Sequence, residues 1–325
     1  MPPRIEVYQD SPTVRAQLVS FLERSFRTEG ACTEEQWRRR LTHWWDDNPF
    51  AQHIPHRGWV FWEENQIRGF LGVIPASYVD GLGDRIPALI ATSWAVDEPH
   101  RNSALAMGFR FHRMGVDHLL VDTTPSPPVQ AMLRHHGWTE QRQIRRRYLL
   151  RALARRILSD AVTLEPNLRI IQDVSQVITV AQQRKTLSWH KEITPEYLRW
   201  FVAAPMREHR FLGVANEYGQ LTSYIIATPQ SAGGIRCWSV MDWYTTRDHN
   251  HELEALVAAL ARHPEGWGGR RWPLLSLASF PPEDCWKDLP RMLERWEEVC
   301  HFHWLPPHLK AQPKRTALAE GDWGL

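Results

Sequence analysis

The segment Val96-Asp97-Glu98-Pro99-His100-Arg101-Asn102-Ser103-Ala104-Leu105-Ala106 runs from an apolar stretch through a short turn into small residues. If a strand ends there and a helix begins, the first-turn N–H groups have no partner within the helix. With the helix dipole they form an anion site. Small side chains at Ser103, Ala104 and Ala106 would let a pyrophosphate approach the backbone closely. The same pattern also serves plain helix packing. Two titratable residues stand nearest in sequence: Asp122, closing the apolar stretch 118–123, and His100, beside the anion site. Either could take a proton from an incoming amine, directly or through water. Asp122 has a second reading, as the cap of the turn Thr123-Thr124-Pro125.

Other reactive residues form weaker patterns. Cys32, Cys237, Cys285 and Cys300 are scattered, with no CxxC spacing, so neither a disulfide framework nor a zinc site is expected. No thiol pairs with a histidine beside the anion site, which favours direct attack over a covalent acyl-enzyme. No Gly-x-Ser-x-Gly is present to support a serine hydrolase. His301 and His303 would share one face of a strand, with His308 beyond a Pro-Pro turn, but the set is too loose for a metal site and none is assigned. His135-His136 at a helix end fits dipole compensation. Asp242, inside an apolar strand, is either an interdomain hydrogen-bond hub or part of an acceptor pocket.

These residues must be positioned by regular elements. Residues 5–8 read as a strand. Ser11-Pro12 starts a helix, and Thr33-Glu34-Glu35-Gln36 is a capping box for a second over 33–45. Strands follow at 58–62, 67–78 and 86–96, then a helix over 101–115, a strand at 118–123, a helix closed by Gly137 and a strand reaching Leu150. The second half repeats this order: a strand at 168–172, helices at 174–187 and 194–202, and strands at 211–217, 221–228 and 236–245. A helix over 249–262, a strand at 272–277, a helix at 285–296 and a strand at 298–304 complete it. The arginine-rich run 142–156 is a polyanion stripe or, as such runs more often are, a solvated helix joining two domains. The chain thus divides into 1–158 and 159–325.

Here the sequence resembles the GCN5-related N-acetyltransferase (GNAT) superfamily, whose motif is (Gln/Arg)-x-x-Gly-x-(Gly/Ala) after a strand ending in Val. Arg101-x-x-Ala104-x-Ala106 follows Val96, with Ala in the middle Gly position. The stretch from Ser126 to Gly137-Trp138 resembles the family's later Asn-to-Gly-Phe corner. Ser126 stands for Asn, and Leu133 for the Tyr that many members use as general acid. The resemblance implies an α/β fold of two GNAT-like (acyl-CoA N-acyltransferase) domains, each a mixed, mostly antiparallel sheet flanked by helices. It implies an acyl-CoA-dependent N-acyltransferase, with acetyl-CoA or another acyl-CoA as co-substrate and no metal. Coenzyme contacts are expected from Trp94, Ala95, Val96, Arg101, Asn102, Ser103, Ala104, Leu105, Ala106 and Ser126. The pantetheine amides would pair with the strand edge at Trp94–Val96.

The second half lacks the motif: Asp248-His249-Asn250-His251-Glu252 would meet a phosphate with acids. It resembles a degenerate repeat that contributes to the acceptor site. The phrases Asn48-Pro49, Tyr197-Leu198-Arg199-Trp200 and Gly321-Asp322-Trp323 look like tandem-GNAT acyltransferases, some of which act on nucleotide-linked amino sugars. The expected partner is a small-molecule amine, such as a nucleotide amino sugar. The competing class is a non-catalytic GNAT-like binding or scaffold protein.

Composition bounds these readings. Lys and Arg number 39 against 37 Asp and Glu, a net charge of +2, so no global field draws nucleic acid or an anionic membrane. No apolar run approaches the ~18 residues of a membrane span. Residues 1–12 carry acids and prolines where a signal peptide needs an apolar core, and a cytoplasmic location is expected. Trp occurs 17 times, which fits large aromatic cores or, more narrowly, a ring-stacking pocket.

Overall fold

Each half begins by burying an aromatic-rich helical face against a β-meander, and the local signals for this lie in the caps. Residues 3–27, 32–80, 82–158, 164–181, 189–232, 234–246, 251–262, 273–279, 285–286, 289 and 293–309 are described by the structure, a computed structural model. The first half contains β1 (Arg4–Val7), α1 (Pro12–Ser25), α2 (Glu34–Leu41), β2 (Gly58–Glu63), β3 (Gln66–Val79) and β4 (Arg85–Val96). It continues with α3 (Arg101–Arg113), β5 (Leu119–Asp122), α4 (Pro127–His135) and β6 (Thr139–Leu150). After α5 (Arg151–Ile157), which ends the first half, the second contains β7 (Leu168–Ile171), β8 (Thr179–Val180), β9 (His190–Lys191), α6 (Pro195–Val202), β10 (Arg210–Asn216) and β11 (Gln220–Ala232). It ends with β12 (Ile235–Thr245), α7 (His251–Arg262), β13 (Leu274–Ser279) and β14 (Leu293–Trp304).

The Ser11 hydroxyl accepts from Val14 N at 3.3 Å and starts α1. Thr33 and Gln36 make the reciprocal capping box of α2, at 3.3 and 2.9 Å. That helix runs into a π-helical turn, Thr42–Asp46, which turns Trp44 and Trp45 into the core. Trp45 Nε1 donates to Val73 O at 2.9 Å and pins the turn to β3. At the end of α4, Gly137 takes φ +77°, and Trp138 N–H donates back to Leu133 O at 3.1 Å.

Three expectations are corrected. The arginine run is not a solvated linking helix: Arg142–Leu150 belong to β6, and only Arg151–Ile157 are helical. Arg146 and Arg147 are 7% and 2% exposed and are ion-paired to Glu297 and Glu294 at 2.6 and 2.8 Å. The helix expected at 285–296 is strand at 293–296, where Glu294 lies across from Arg147 and the following Glu297 reaches diagonally to Arg146. Such opposite-charge cross-strand pairs override a helical period. In place of a helix at 174–187 there is one 3₁₀ turn, Val174–Gln176, and then β8. Asp173 caps that turn at Ser175 N, 2.8 Å, and the β-branched run Val177-Ile178-Thr179-Val180 favours extended backbone. Residues 182–187, 247–250 and Gly321-Asp322-Trp323 lie outside the described residues.

The strands form one sheet in the order β1-β2-β3-β4-β5-β14-β6-β13-β12-β11-β10-β7. The order is nearly symmetric about its centre. β4 pairs with β5 in parallel, as β12 does with β13, and the other pairs along this order are antiparallel. Each half gives its last strand to the other: β14 lies against β5, and β6 lies against β13. The seam between β6 and β14 is ionic. Besides the two buried arginines, Arg145 pairs with Glu294 at 3.3 Å, and Tyr148 OH donates to Glu297 at 3.2 Å. In the first half α1 and α2 pack on one face with Phe70, Ile74 and Val121. Residues of α3 and α4 pack on the other face with Leu71, Val73, Leu89 and Leu120.

The halves also meet beside β3, where β9 pairs Lys191 with Tyr78. Lys191 Nζ reaches Asp242 Oδ2 at 2.8 Å, and Tyr224 OH donates to the same oxygen at 3.1 Å. Asp242 is therefore a buried hydrogen-bond hub whose partners Lys191 and Tyr224 both belong to the second half, and Lys191 reaches the first half through its backbone pairing with β3. Trp200 Nε1 donates to His43 O at 2.7 Å, and its ring stacks on the imidazole at 4.8 Å.

Two predictions follow from this packing. Residues 1–160 alone lack β13 and β14, so β5 loses one of its two neighbours and β6 loses both. That fragment should fail to give a cooperative urea transition, whereas the full chain gives one; a two-state transition from the fragment would contradict the exchange. The second concerns His43 and His209, both buried, whose imidazoles are pushed down to about 4 chiefly by burial. Unfolded, each takes a proton below about pH 6.5. Between those values the unfolded state binds more protons, so stability is full above 6.5 and falls toward pH 4. The slope is about 1 kcal/mol per pH unit for each residue. His43→Phe, which keeps the stack, should flatten the dependence of urea-unfolding stability on pH; an unchanged slope would show that His43 is not buried neutral.

Candidate active site

β4 and β5 are paired only from Ala88↔Leu119 to Ile90↔Val121. β5 then stops at Asp122. Its carboxylate Oδ1 accepts from Thr124 N at 3.3 Å and turns the chain, and Pro125 has no N–H to continue a ladder. β4 continues to Val96, held along its other edge by β3. It is bulged: Gly72 pairs with Thr92 and Phe70 with Ala95, so Ser93 and Trp94 together oppose Leu71. Ser93 carries the strain of this bulge at φ +50°. The two strands therefore part, and among the described residues no strand pairs with the edge of β4 that faces the opening.

A cavity of about 280 Å³ occupies the opening. Ala91, Thr92, Ser93 and Trp94 line it from β4, and Asp122, Thr124, Pro125 and Ser126 from the end of β5. Phe26, Trp37 and Arg40 close it from the α1–α2 face, and Val129 of α4 from the opposite face. Its lining thus comes from both faces of the sheet. Its charged lining residues are Asp122, 5% exposed, and Arg40, whose guanidinium lies 4.8 Å from the ring centroids of both Trp37 and Trp44.

Of the expected site residues, Trp94, Asp122 and Ser126 are brought together here. Ser126 is the N-cap residue of α4, yet its side chain makes no capping bond. The Trp94 ring lies over α3 where Gly108 leaves room; a Cβ on Gly108 would fall 2.7 Å from it. Trp94 Nε1 is buried without a hydrogen-bond partner. Ala95 and Val96 follow on β4, paired with Phe70 and Gly69. Arg101, Asn102, Ser103, Ala104, Leu105 and Ala106 form the first turns of α3, whose N-cap His100 supplies no side-chain bond. Asn102, Leu105 and Ala106 are exposed, and Ser103 and Ala104 half-buried. Arg101 points to solvent beside Glu98 at 3.1 Å.

His100 does not line the cavity; its Nε2 lies 2.9 Å from Glu63. Leu133, 2% exposed, is part of the core under the sheet. The described lining residues all come from the first half, and the second half enters this region through β14, where Phe302 pairs with Asp122. His301 and His303 are buried on β14 and His308 is exposed; among the described residues no group of three His, Cys, Asp or Glu is placed to hold a metal ion. Phe26, Trp37 and Arg40 were missed as site residues. Trp37 was visible only as part of an apolar helix stripe. Ser93 gives no sequence signal, since a bulge depends on register with β3.

No protein-family model matches the chain, and no curated protein matches it. Solved structures do match. One is a GCN5-related N-acetyltransferase from Anabaena variabilis, at TM-score 0.60 and 13% identity, covering 92% of this chain and 72% of that one. A conserved protein of Enterococcus faecalis described as a probable N-acyltransferase gives TM-score 0.62 and 13% identity, over 93% and 72%. Eis1 from Mycobacterium abscessus gives 0.54 and 14%, over 92% and 73%. The fold is that of the GCN5-related N-acetyltransferases.

The GNAT likeness extends through both halves, but the two openings differ. In the second half β12 and β13 are paired only from Cys237↔Leu274 to Ser239↔Ser276, and β12 has its own bulge near Met241. There Trp286, 1% exposed, packs across the end of β13: its Nε1 donates to Ala278 O at 2.8 Å and its ring meets Trp243 at 5.7 Å. An indole thus lies beside these two strands beyond their last pair. No helix among the described residues is long and apolar enough to cross a membrane.

Proposed function

We propose that the chain is an acyl-CoA-dependent N-acyltransferase whose first half binds acetyl-CoA or another acyl-CoA and a small amine. The observation that carries this reading is the open edge of β4 beside a cavity lined from both faces of the sheet, on a GNAT fold. The pyrophosphate would sit on the N–H groups of Asn102–Ala106, which lie exposed or half-buried at a helix start. The pantetheine amides would pair with the free edge of β4 from Trp94 to Val96, and the indole N–H of Trp94 is a further donor. Ser126 faces the same cavity. An amine on a nucleotide-linked sugar is one member of the acceptor class. The non-catalytic scaffold remains the competing class, and it draws on Leu133 in place of tyrosine.

The reaction this geometry supports is direct attack. The amine must first lose its ammonium proton, and Asp122 would take it, directly or through one water. The nitrogen lone pair then forms a bond to the thioester carbonyl carbon, and the C–S bond breaks. As the C–S bond breaks, the sulfur leaves as a thiolate, and the proton the nitrogen must shed to become an amide passes to that thiolate through water; free thiols have pKa near 8.5, so departure needs no strong acid and a leucine at 133 is tolerable.

Two measurements test the reading. Calorimetric titration with acetyl-CoA should show binding to the wild-type chain. Ala104→Glu, which places a bulky acid at the anion site, should weaken it by roughly a hundredfold. No binding heat at millimolar acetyl-CoA would support the scaffold, and wild-type affinity in the variant would misplace the pyrophosphate. Separately, Asp122→Asn should lower turnover by about 10²–10⁴ and remove the acidic limb of the pH–rate profile. A near-normal rate with only a lowered melting temperature would make Asp122 a turn residue.

A further inference from the structure

The α1–α2 wall of the cavity carries donors. The capping box fixes the start of α2, and Trp37 and Arg40, three positions apart, fall on one face of it. Trp37 is 3% exposed, and its indole Nε1 is buried with no hydrogen-bond partner. Indole has that single donor and no acceptor, and leaving it unpaired in the interior costs stability unless something comes to accept it. Beside it, the Arg40 guanidinium lies 4.8 Å from the ring centroids of both Trp37 and Trp44, with Nη1 4.0 Å from Cys32 Sγ. Both residues line the cavity, and the acid that shares the lining is Asp122, at the strand end. The cavity therefore presents a cation and an N–H from the helix wall and a carboxylate from the strands. That is the complement of a zwitterion. Its volume, about 280 Å³, is at the low end of small-molecule sites and must also admit the thioester. Phe26, 5.6 Å from Trp37 by ring centroids, adds an apolar surface.

We infer that the acceptor is a compact amine with a carboxylate close to its nitrogen, an α-amino acid or a near relative, whose carboxylate is held by Arg40 and the Trp37 N–H while its ammonium faces Asp122. This rests on the proposed acyl transfer for its role as acceptor, though the binding itself needs no coenzyme. A nucleoside-diphosphate amino sugar also brings anionic oxygens, but a sugar ring separates them from the amine and its bulk would lie outside the cavity.

The test is calorimetric titration of the full chain with glycine, alanine, leucine and phenylalanine, each as free acid and as carboxamide, and with a nucleoside-diphosphate amino sugar. At least one acid should bind tenfold or more tighter than its amide. Arg40→Gln should abolish that preference, and Arg40→Lys should keep part of it. Trp37→Phe, which retains a ring but no N–H, should weaken the acid several-fold more than the amide, and it carries the test if the Arg40 variants fail to fold. The inference is overturned if no acid binds, if acid and amide bind alike, if the preference survives Arg40→Gln, or if the nucleotide sugar alone binds. An acid preference without any acyl transfer would instead overturn the proposed function. Acyl transfer to amides at a rate indifferent to Arg40→Gln would overturn this inference and leave that function standing.

Discussion

A strand inside a sheet normally satisfies its backbone on both edges, and β4 does so only as far as Ile90. From Ala91 to Val96 one edge is held by β3, and Ala91 to Trp94 line a cavity. This open edge depends on where β5 stops and on what keeps it in place. The turn at Asp122–Pro125 stops it, and β14 keeps it in place through Phe302, His303 and Trp304. β14 in turn lies on β6 along a seam of arginine and glutamate. Arg147, 2% exposed, is a charge that could not be buried there without Glu294. The position of the opening is thus tied to ion pairs formed between the two halves of the chain.

The symmetry of the sheet makes the difference between the halves informative. Both have a parallel strand pair that parts after three residue pairs, and both have a bulge on the longer strand. Beyond the last pair of the second, the indole of Trp286 bonds Ala278 O and belongs to a core with Leu275, Leu277 and Trp238. In the first, Asp122, Thr124, Ser126 and Arg40 stand around a cavity. The second half also lends β14 to the first and receives β6 from it.

Much of this was legible from local chemistry. The caps at Ser11 and Thr33, the meander of β2, β3 and β4, and the turn into a helix at Arg101 are each set by residues a few positions apart. The Asp122 turn was legible as well, since Asp-Thr-Thr-Pro carries its own hydrogen-bond logic. What could not be read was long-range. Arg142 to Leu150 looks like a solvated charge run until Glu294 and Glu297 are placed opposite it, some 150 residues away. For the same reason the sequence of 293–296 on its own reads as helix. Trp37 and Arg40 were legible as a helix face, but only the parting of β4 and β5 shows that the face borders a cavity. The positive φ of Ser93 arises from a bulge that exists only in register with β3.

The central claim is that the open edge of β4 and the start of α3 together receive the coenzyme. Amide hydrogen exchange with and without acetyl-CoA measures this directly, because N–H groups that gain partners slow their exchange. The account predicts slower exchange over Ser93–Ala106 and none over Ser239–Thr245, the corresponding part of the second half. Unchanged exchange over Ser93–Ala106, or protection confined to the second half, would contradict it.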